Sequence, residues 1–321
     1  MSGITILPHL YLMKCISVFF TQLWNTLRLT LKTFVSENYF RYGASLSYYT
    51  IFSLAPLLII TISLCGYFFG RQAMEGDLFT EIRKLVGDKV AMQIQEMIQH
   101  VVSSQNSFMV NAIGIVVMAL GVTSVFAEVQ DAVNHIWKLK TEPKRDWTKY
   151  IIKRVLSFSI FCITGFLLVF ALAINWLINF FGYYIDHFFA GAGNYLVIAI
   201  NQVFIFAIVA MLFTFILKYM PDGKVKSKDA IKGALFTSVL FILGNAAISY
   251  SLTHSDVTSM YGAAGSLVFL ILWIYYSGII LYFGIVFTKV YAYQYGGKIT
   301  PRSFAVHLEE KEHEPEKSNL Q

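Results

Sequence analysis

Residues 43–63 read GASLSYYTIFSLAPLLIITIS, and no charged side chain interrupts them. Six hydroxyl-bearing residues, Ser45, Ser47, Tyr48, Tyr49, Thr50 and Ser53, crowd into the first half, and Pro56 follows near the centre. In a water-soluble helix an interior proline costs about 3 kcal/mol and normally ends the element. In hydrocarbon the same residue is tolerated, because neighbouring helices, hydroxyls or waters satisfy the carbonyl it frees. Here that carbonyl belongs to Phe52, four residues earlier, with Thr50 and Ser53 close by. Whether this stretch is one helix therefore depends on its solvent.

The rest of the chain settles that point. Of 321 residues, 56% are hydrophobic and only 14% charged, against about a quarter charged in soluble domains. A helix crosses the bilayer core in about 20 residues. Six uncharged or nearly uncharged stretches reach that length, at 44–69, 108–127, 154–180, 195–217, 230–252 and 266–290. The expected fold is all-α, a polytopic membrane protein with six transmembrane helices. Residues 16–35 differ: Phe20, Leu23, Trp24, Leu27, Leu31 and Phe34 recur at helical spacing, but Arg28 and Lys32 interrupt them. That pattern predicts an amphipathic helix lying in the membrane interface.

Charge sets the orientation. With six spans, one side receives both termini and the connections 138–154 and 218–232. The opposite side holds only Arg71, Arg83, Lys84 and Lys89, leaving 21 of the 25 Lys and Arg residues on the first. The positive-inside rule then places both termini in the cytoplasm. The same excess faces anionic inner-leaflet lipid, so the basic balance calls for no nucleic acid. Three units are expected: 1–43 as a cytoplasmic or interfacial helix, 44–295 as the transmembrane domain, and 296–321 as a disordered charged cytoplasmic tail. Within the domain, the extracytoplasmic loop 70–107 keeps a helical period from Leu78 to Val101, broken at Gly87-Asp88. The early residues offer no cleavage pattern, Lys14 being the first charge, and are expected to be retained.

Four ordered stretches carry a resemblance to a known family. ASLSYYTIFSLAPLL (44–58) resembles the first-span signature of the YihY/BrkB family of bacterial inner-membrane proteins. VFAEVQDAVNHIW (125–137), KYMPDGKVKSKDAIKGA (218–234) and YGAAGSLVFLILWIYYSGIILYFG (261–284) are similar to its second-span end, its proline-containing connection and its last span. The likeness runs over about residues 20 to 295. One departure is clear: where the family commonly closes its last span with Gly-Ala-Glu, this chain has Gly284-Ile285-Val286. The resemblance implies an inner-membrane, multi-pass protein. Some members are linked to virulence and serum resistance, and some are proposed to move envelope lipids. A legacy label, ribonuclease BN, accompanies many of them.

The residues themselves argue against that label. A hydrolytic metal centre needs three or more converging nitrogen or oxygen ligands, and the seven histidines form no H-x-H or H-E-x-x-H arrangement. Nucleotide-binding G-x-x-x-x-G-K-[ST] and nucleophilic G-x-S-x-G patterns are missing as well. No catalytic residues, no metal and no cofactor are expected.

Three sets of residues remain as binding or gating candidates. Ser45, Ser47, Tyr48, Tyr49, Thr50, Ser53 and Pro56 either pack the first span against its neighbours or line a polar cavity and hinge. Glu128, Asp131 and His135 are spaced by three and four, so they share a helix face, with Gln130 and Asn134 beside them. They form either a wet extension anchored by Trp137 or a cytoplasmic gate. The intramembrane amides Asn175, Asn201, Gln202 and Asn245 bond between helices or line a cavity. The function expected is movement or export of a lipid or other amphipathic envelope component. The alternative is a non-transporting scaffold for envelope proteins. Partners are accordingly membrane lipids in the first case, envelope proteins or a second copy in the other.

Overall fold

The structure, a computed structural model, describes residues 7–53, 123–141, 193–253, 265–302 and 305–307, together with positions 83, 91, 92 and 95. Its main elements in chain order are helix α1 (Leu7–Ser36), helices α2 (40–53) and α3 (123–136), and strand β1 (Leu139–Thr141). Helix α4 (Gly193–Tyr219), strand β2 (Gly223–Lys224), helix α5 (Ser227–Thr253) and helix α6 (Gly265–Gln294) follow. Strands β3 (Thr300–Pro301) and β4 (Ala305–His307) come last.

Three of these helices are long and apolar enough to cross a membrane, over Ile198–Tyr219, Ser227–Ile248 and Val268–Gln294. They coincide with the last three spans read from the sequence. Their ends have local causes. Met220-Pro221 stops α4, because a residue before proline is pushed out of the α region. Ser227 opens α5 with Asp229 in its first turn, where a carboxylate suits the positive end of the helix dipole. Of the other expected spans, 44–53 and 123–127 are helical; the remainder, including Pro56 and all of 154–180, lies outside the described residues. So does most of the 70–107 loop, whose described positions 83, 91, 92 and 95 are helical.

Helix α5 packs on both α4 and α6. The α5–α6 contact is reciprocal. Thr237 of α5 lies over Gly284 of α6, and Thr288 of α6 lies over Gly233 of α5. Each threonine hydroxyl donates to the carbonyl four residues upstream, Thr237 Oγ1 to Gly233 O and Thr288 Oγ1 to Gly284 O, both at 2.7 Å. No polar atom is thereby wasted while the two backbones approach closely, as small residues permit between membrane helices. Helix α2 meets α6 the same way: a Cβ on Gly278 would stand 3.3 Å from Gly43 Cα.

Helix α1 lies along the last turns of α6, with Thr26 Oγ1 3.3 Å from Gln294 Oε1 and the rings of Phe34 and Phe283 5.5 Å apart. Only one flank of its apolar stripe reaches the protein. Thr26, Thr30 and Phe34 are buried, whereas Phe20, Trp24, Leu31 and Val35 are exposed.

The most tightly buried core gathers at one end of the bundle, where Phe34, Tyr39, Trp137, Leu217, Tyr282, Ile285 and Ile299 meet. Lys218, Lys224, Lys226, Lys228 and Lys232 cluster in sequence at this end, here called the basic end. Two short antiparallel ribbons close it. Strand β1 pairs with β4, Leu139 opposite His307, and β2 pairs with β3, Gly223 opposite Pro301. Three segments assigned to one side by their charge are thus hydrogen-bonded to one another. These ribbons also correct the expectation of a disordered tail from 296 onward. Residues 300–301 and 305–307 are paired, and Ile299 and Ala305 are buried, because the neighbouring connections offer strand partners and apolar cover. Residues 308–321 lie outside the described part.

Candidate functional site

The basic end is organised around one buried carboxylate. Asp222 follows Pro221 in the turn between α4 and β2, and it is 3% exposed. Gln130 Nε2 donates to its Oδ1 at 3.2 Å and Asn134 Nδ2 to its Oδ2 at 2.9 Å. Its own backbone N–H donates to Asn134 Oδ1 at 2.9 Å, and its carbonyl accepts from Arg302 N at 2.9 Å. One residue therefore ties α3, the α4–β2 turn and the C-terminal strands together. Around this centre Trp137 Nε1 donates to Ile285 O at 3.2 Å. Lys289 Nζ donates to Ile136 O at 2.6 Å, a cation at the carbonyl end of α3. Gly297 N donates to Asp229 Oδ2 at 2.9 Å.

The gate candidates on α3 part company. Asn134 turns inward, with Gln130 one helical turn before it, to hold Asp222. Glu128 is half-buried, while Asp131 and His135 are exposed. His135 lies on Tyr42, with ring centroids 5.7 Å apart, and Tyr42 in turn lies 5.8 Å from Tyr282. The Tyr282 hydroxyl is buried and makes no hydrogen bond.

Two of the first-span hydroxyls are used within their own helix. Ser47 Oγ donates to Gly43 O at 2.7 Å and Ser53 Oγ to Thr50 O at 3.0 Å, both side chains being buried. Ser45, Tyr49 and Thr50 are half-buried. Tyr48 is 61% exposed and packs on Phe52, itself exposed, at 5.0 Å between centroids. This segment presents two characters, an inward serine side and an outward aromatic side.

The amides come together elsewhere. Asn201 and Gln202 of α4 and Asn245 of α5 line a cleft of ≈ 180 Å³, continued by Ile205, Val209, Phe241 and Ile242. Asn245 Oδ1 accepts from Trp273 Nε1 of α6 at 3.1 Å, which orients its carboxamide. No residue of α2 lines this cleft. Asn175 lies outside the described residues. Among the described residues, no group of three or more His, Cys, Asp or Glu could hold a metal ion.

Comparison with known proteins bears on most of the chain. A family model described as "Virulence factor BrkB" matches residues 30–307. The chain belongs to the BrkB family. It is similar to UPF0761 membrane proteins of Pseudoalteromonas translucida (25% identity over 244 residues, 74% of this chain and 76% of the relative) and Haemophilus influenzae (23% over 270, 79% and 90%). Another, from Rhodospirillum centenum, is 26% identical over 271 residues, covering 83% of this chain and 57% of the relative. No solved structure matches the chain.

For this BrkB-family protein the departure at the end of the last span now has a setting. Val286 is fully buried, and the carbonyl of its neighbour Ile285 accepts the indole of Trp137. Asp222 and Trp273 escaped the sequence reading. The available signal was the spacing of four between Gln130 and Asn134, which puts two amides on one helix face, about 100° round from Asp131 and His135.

Proposed function

We propose that the protein is a non-enzymatic, transporter-like component of the bacterial inner membrane that moves, or helps export, a lipid or other amphipathic envelope component. It has six spans and both termini in the cytoplasm. The observation that supports this reading is the α4–α5 cleft. Three carboxamides are grouped there within apolar helices whose outer surfaces, at Ile198, Val203, Leu243 and Tyr250, are exposed. Polar side chains within spans are costly and mark substrate pathways or helix contacts. A cleft with room beside them favours the pathway. The exposed Phe20, Trp24, Leu31 and Val35 of α1, next to Arg28 and Lys32, suit a helix resting in the inner leaflet. The charge asymmetry supports the orientation.

The test is movement of fluorescently labelled lipid across reconstituted vesicles, read by quencher added outside. Exchange faster than in protein-free vesicles, reduced when Asn201 and Gln202 are both replaced by leucine, is the expected outcome. Exchange at the protein-free rate, with stable capture of an envelope protein by the same preparation, sinks transport and leaves the scaffold.

A further inference from the structure

We propose that the exposed rim of the α5–α6 pair at the basic end binds an acidic phospholipid of that leaflet, its phosphate held by Lys228, Lys232 and Tyr291. The site lies apart from the α4–α5 cleft and needs no transport.

The first argument is the register of the two helices. Phe236 of α5 stacks on Phe287 of α6, with ring centroids 3.8 Å apart and 18° between the planes. One turn nearer the basic end, Lys232 Nζ donates to the Tyr291 hydroxyl at 2.6 Å and sits 4.9 Å from the centre of its ring. Four residues back on α5 thus match four residues forward on α6. A further turn brings Lys228, which is exposed, toward Tyr295, whose exposed ring lies 5.8 Å from that of Tyr291. Along this rim, stacked rings give way to an ammonium on a phenol and then to an ammonium at the surface.

The second argument is what these groups can hold. An ammonium carries three donors, and Lys232 spends one of them on Tyr291. The phenol oxygen accepts that bond, so the phenol proton is its donor to a ligand. A phosphodiester has two oxygens to accept from both groups. Lys228 stands about 6 Å from Lys232 on the same helix face, a spacing at which like charges repel. An anion beside them relieves that repulsion, whereas a zwitterionic headgroup brings a third ammonium to it. Asp229, the carboxylate next to Lys228, is buried and accepts from Gly297 N at 2.9 Å.

The third argument is depth. The apolar span of α5 starts at Ser227, so Lys228 and Lys232 enter it at the level of the headgroups. Beyond them the same face continues with Leu235, Val239 and Leu243, all exposed. Leu243 is eleven residues, about 16 Å, past Lys232, which matches half of a hydrocarbon core of about 30 Å. Cations at the head of an apolar stripe one leaflet long repeat the order of a phospholipid, phosphate outermost and chains inward. Basic sites between membrane helices hold acidic headgroups on this principle. A soluble phosphate ester would use the lysines and leave the stripe uncovered.

Native mass spectrometry of the full chain in detergent tests this with phosphatidylglycerol and phosphatidylcholine of identical acyl chains. Phosphatidylglycerol should bind about tenfold more tightly or better, the value of one hydrogen bond to a charged group. Lys232→Gln, at an exposed position, should remove most of that preference. Tyr291→Phe keeps the ring and its stacking but should cut phosphatidylglycerol binding about fivefold. Lys224→Gln removes the same charge from β2, at the same end of the bundle but off this rim, and should leave binding within about twofold. Glycerophosphoglycerol, the same headgroup without chains, should fail to displace the lipid even in large excess. Equal binding of the two lipids overturns the proposal by removing charge recognition. Equal losses from Lys224→Gln and Lys232→Gln overturn it in favour of a diffuse basic surface, and displacement by the bare headgroup does so in favour of a soluble phosphate ester.

Discussion

Replacing Asp222 by alanine removes the acceptor of two buried donors, Gln130 Nε2 and Asn134 Nδ2, on residues that are 8% and 7% exposed. A buried donor left without a partner costs about 1–3 kcal/mol. Two of them set the expected loss at roughly 2–6 kcal/mol, with the bond from Asp222 N to Asn134 Oδ1 surviving as a backbone contact. Asp222→Asn is the sharper probe. It keeps the shape and one oxygen, but sets an amide N–H₂ against one of the two donors, so roughly half the loss, about 1–3 kcal/mol, is expected. Both changes can be read by dodecyl sulfate unfolding of the purified protein in micelles, followed by tryptophan fluorescence. A cycle pairing Asp222→Ala with Asn134→Ala should give a coupling of about 1 kcal/mol or more. Unfolding of Asp222→Ala within about 0.5 kcal/mol of wild type, or additive behaviour in the cycle, would falsify the view that this carboxylate holds the basic end together.

Three further outcomes are expected. Gly284→Ala should destabilise by about 1–3 kcal/mol through overpacking, despite a helix-propensity gain of about 1 kcal/mol, because its Cβ would stand 2.6 Å from Thr237 Cγ2. Thr237→Ala in the same chain should recover part of the loss in the same unfolding assay; no recovery would mean the two helices do not meet at this pair. Restoring the family's carboxylate with Val286→Glu should cost about 3 kcal/mol or more, since position 286 is fully buried, and unchanged unfolding would show that water reaches it. Glu128→Gln combined with Asp131→Asn should leave unfolding within about 0.5 kcal/mol, as both face outward or half-outward. The gate assignment further requires this pair to abolish lipid movement in vesicles, and persistence of movement refutes it.

The spans α4 to α6 were legible because hydrocarbon demands length and apolarity, and Ile198–Tyr219, Ser227–Ile248 and Val268–Gln294 supply both. The amides Asn201, Gln202 and Asn245 stood out for the same reason: polar groups are conspicuous in an apolar run. Their meeting in one cleft was not legible, since it depends on how α4 and α5 are rotated against each other. For Asp222 the difficulty was separation. Its partners lie 88 and 92 residues away, and a Pro-Asp-Gly turn looks like any other exposed connection. The ribbons were missed because strands of two and three residues are too short for alternation to register. On α1 the stripe of Phe20, Trp24, Leu31 and Phe34 was visible, yet periodicity cannot say which flank touches protein. Thr26 and Thr30 occupy the buried side because their hydroxyls bond to carbonyls of their own helix, at 2.8 and 2.7 Å. They leave no donor for hydrocarbon to strand.

The pairing of β1 with β4 also sets a timetable for biogenesis. Strand β1 emerges from the ribosome long before its partner, which is made only after α6. Until translation passes residue 301 the edge formed by 223–224 stays open, and until it passes 307 the backbone groups of 139–141 lack this partner. A nascent polypeptide arrested at the close of α6 would carry α4 to α6 and yet lack its final clasp. Quality-control proteases that patrol the bilayer surface would meet it as unfinished.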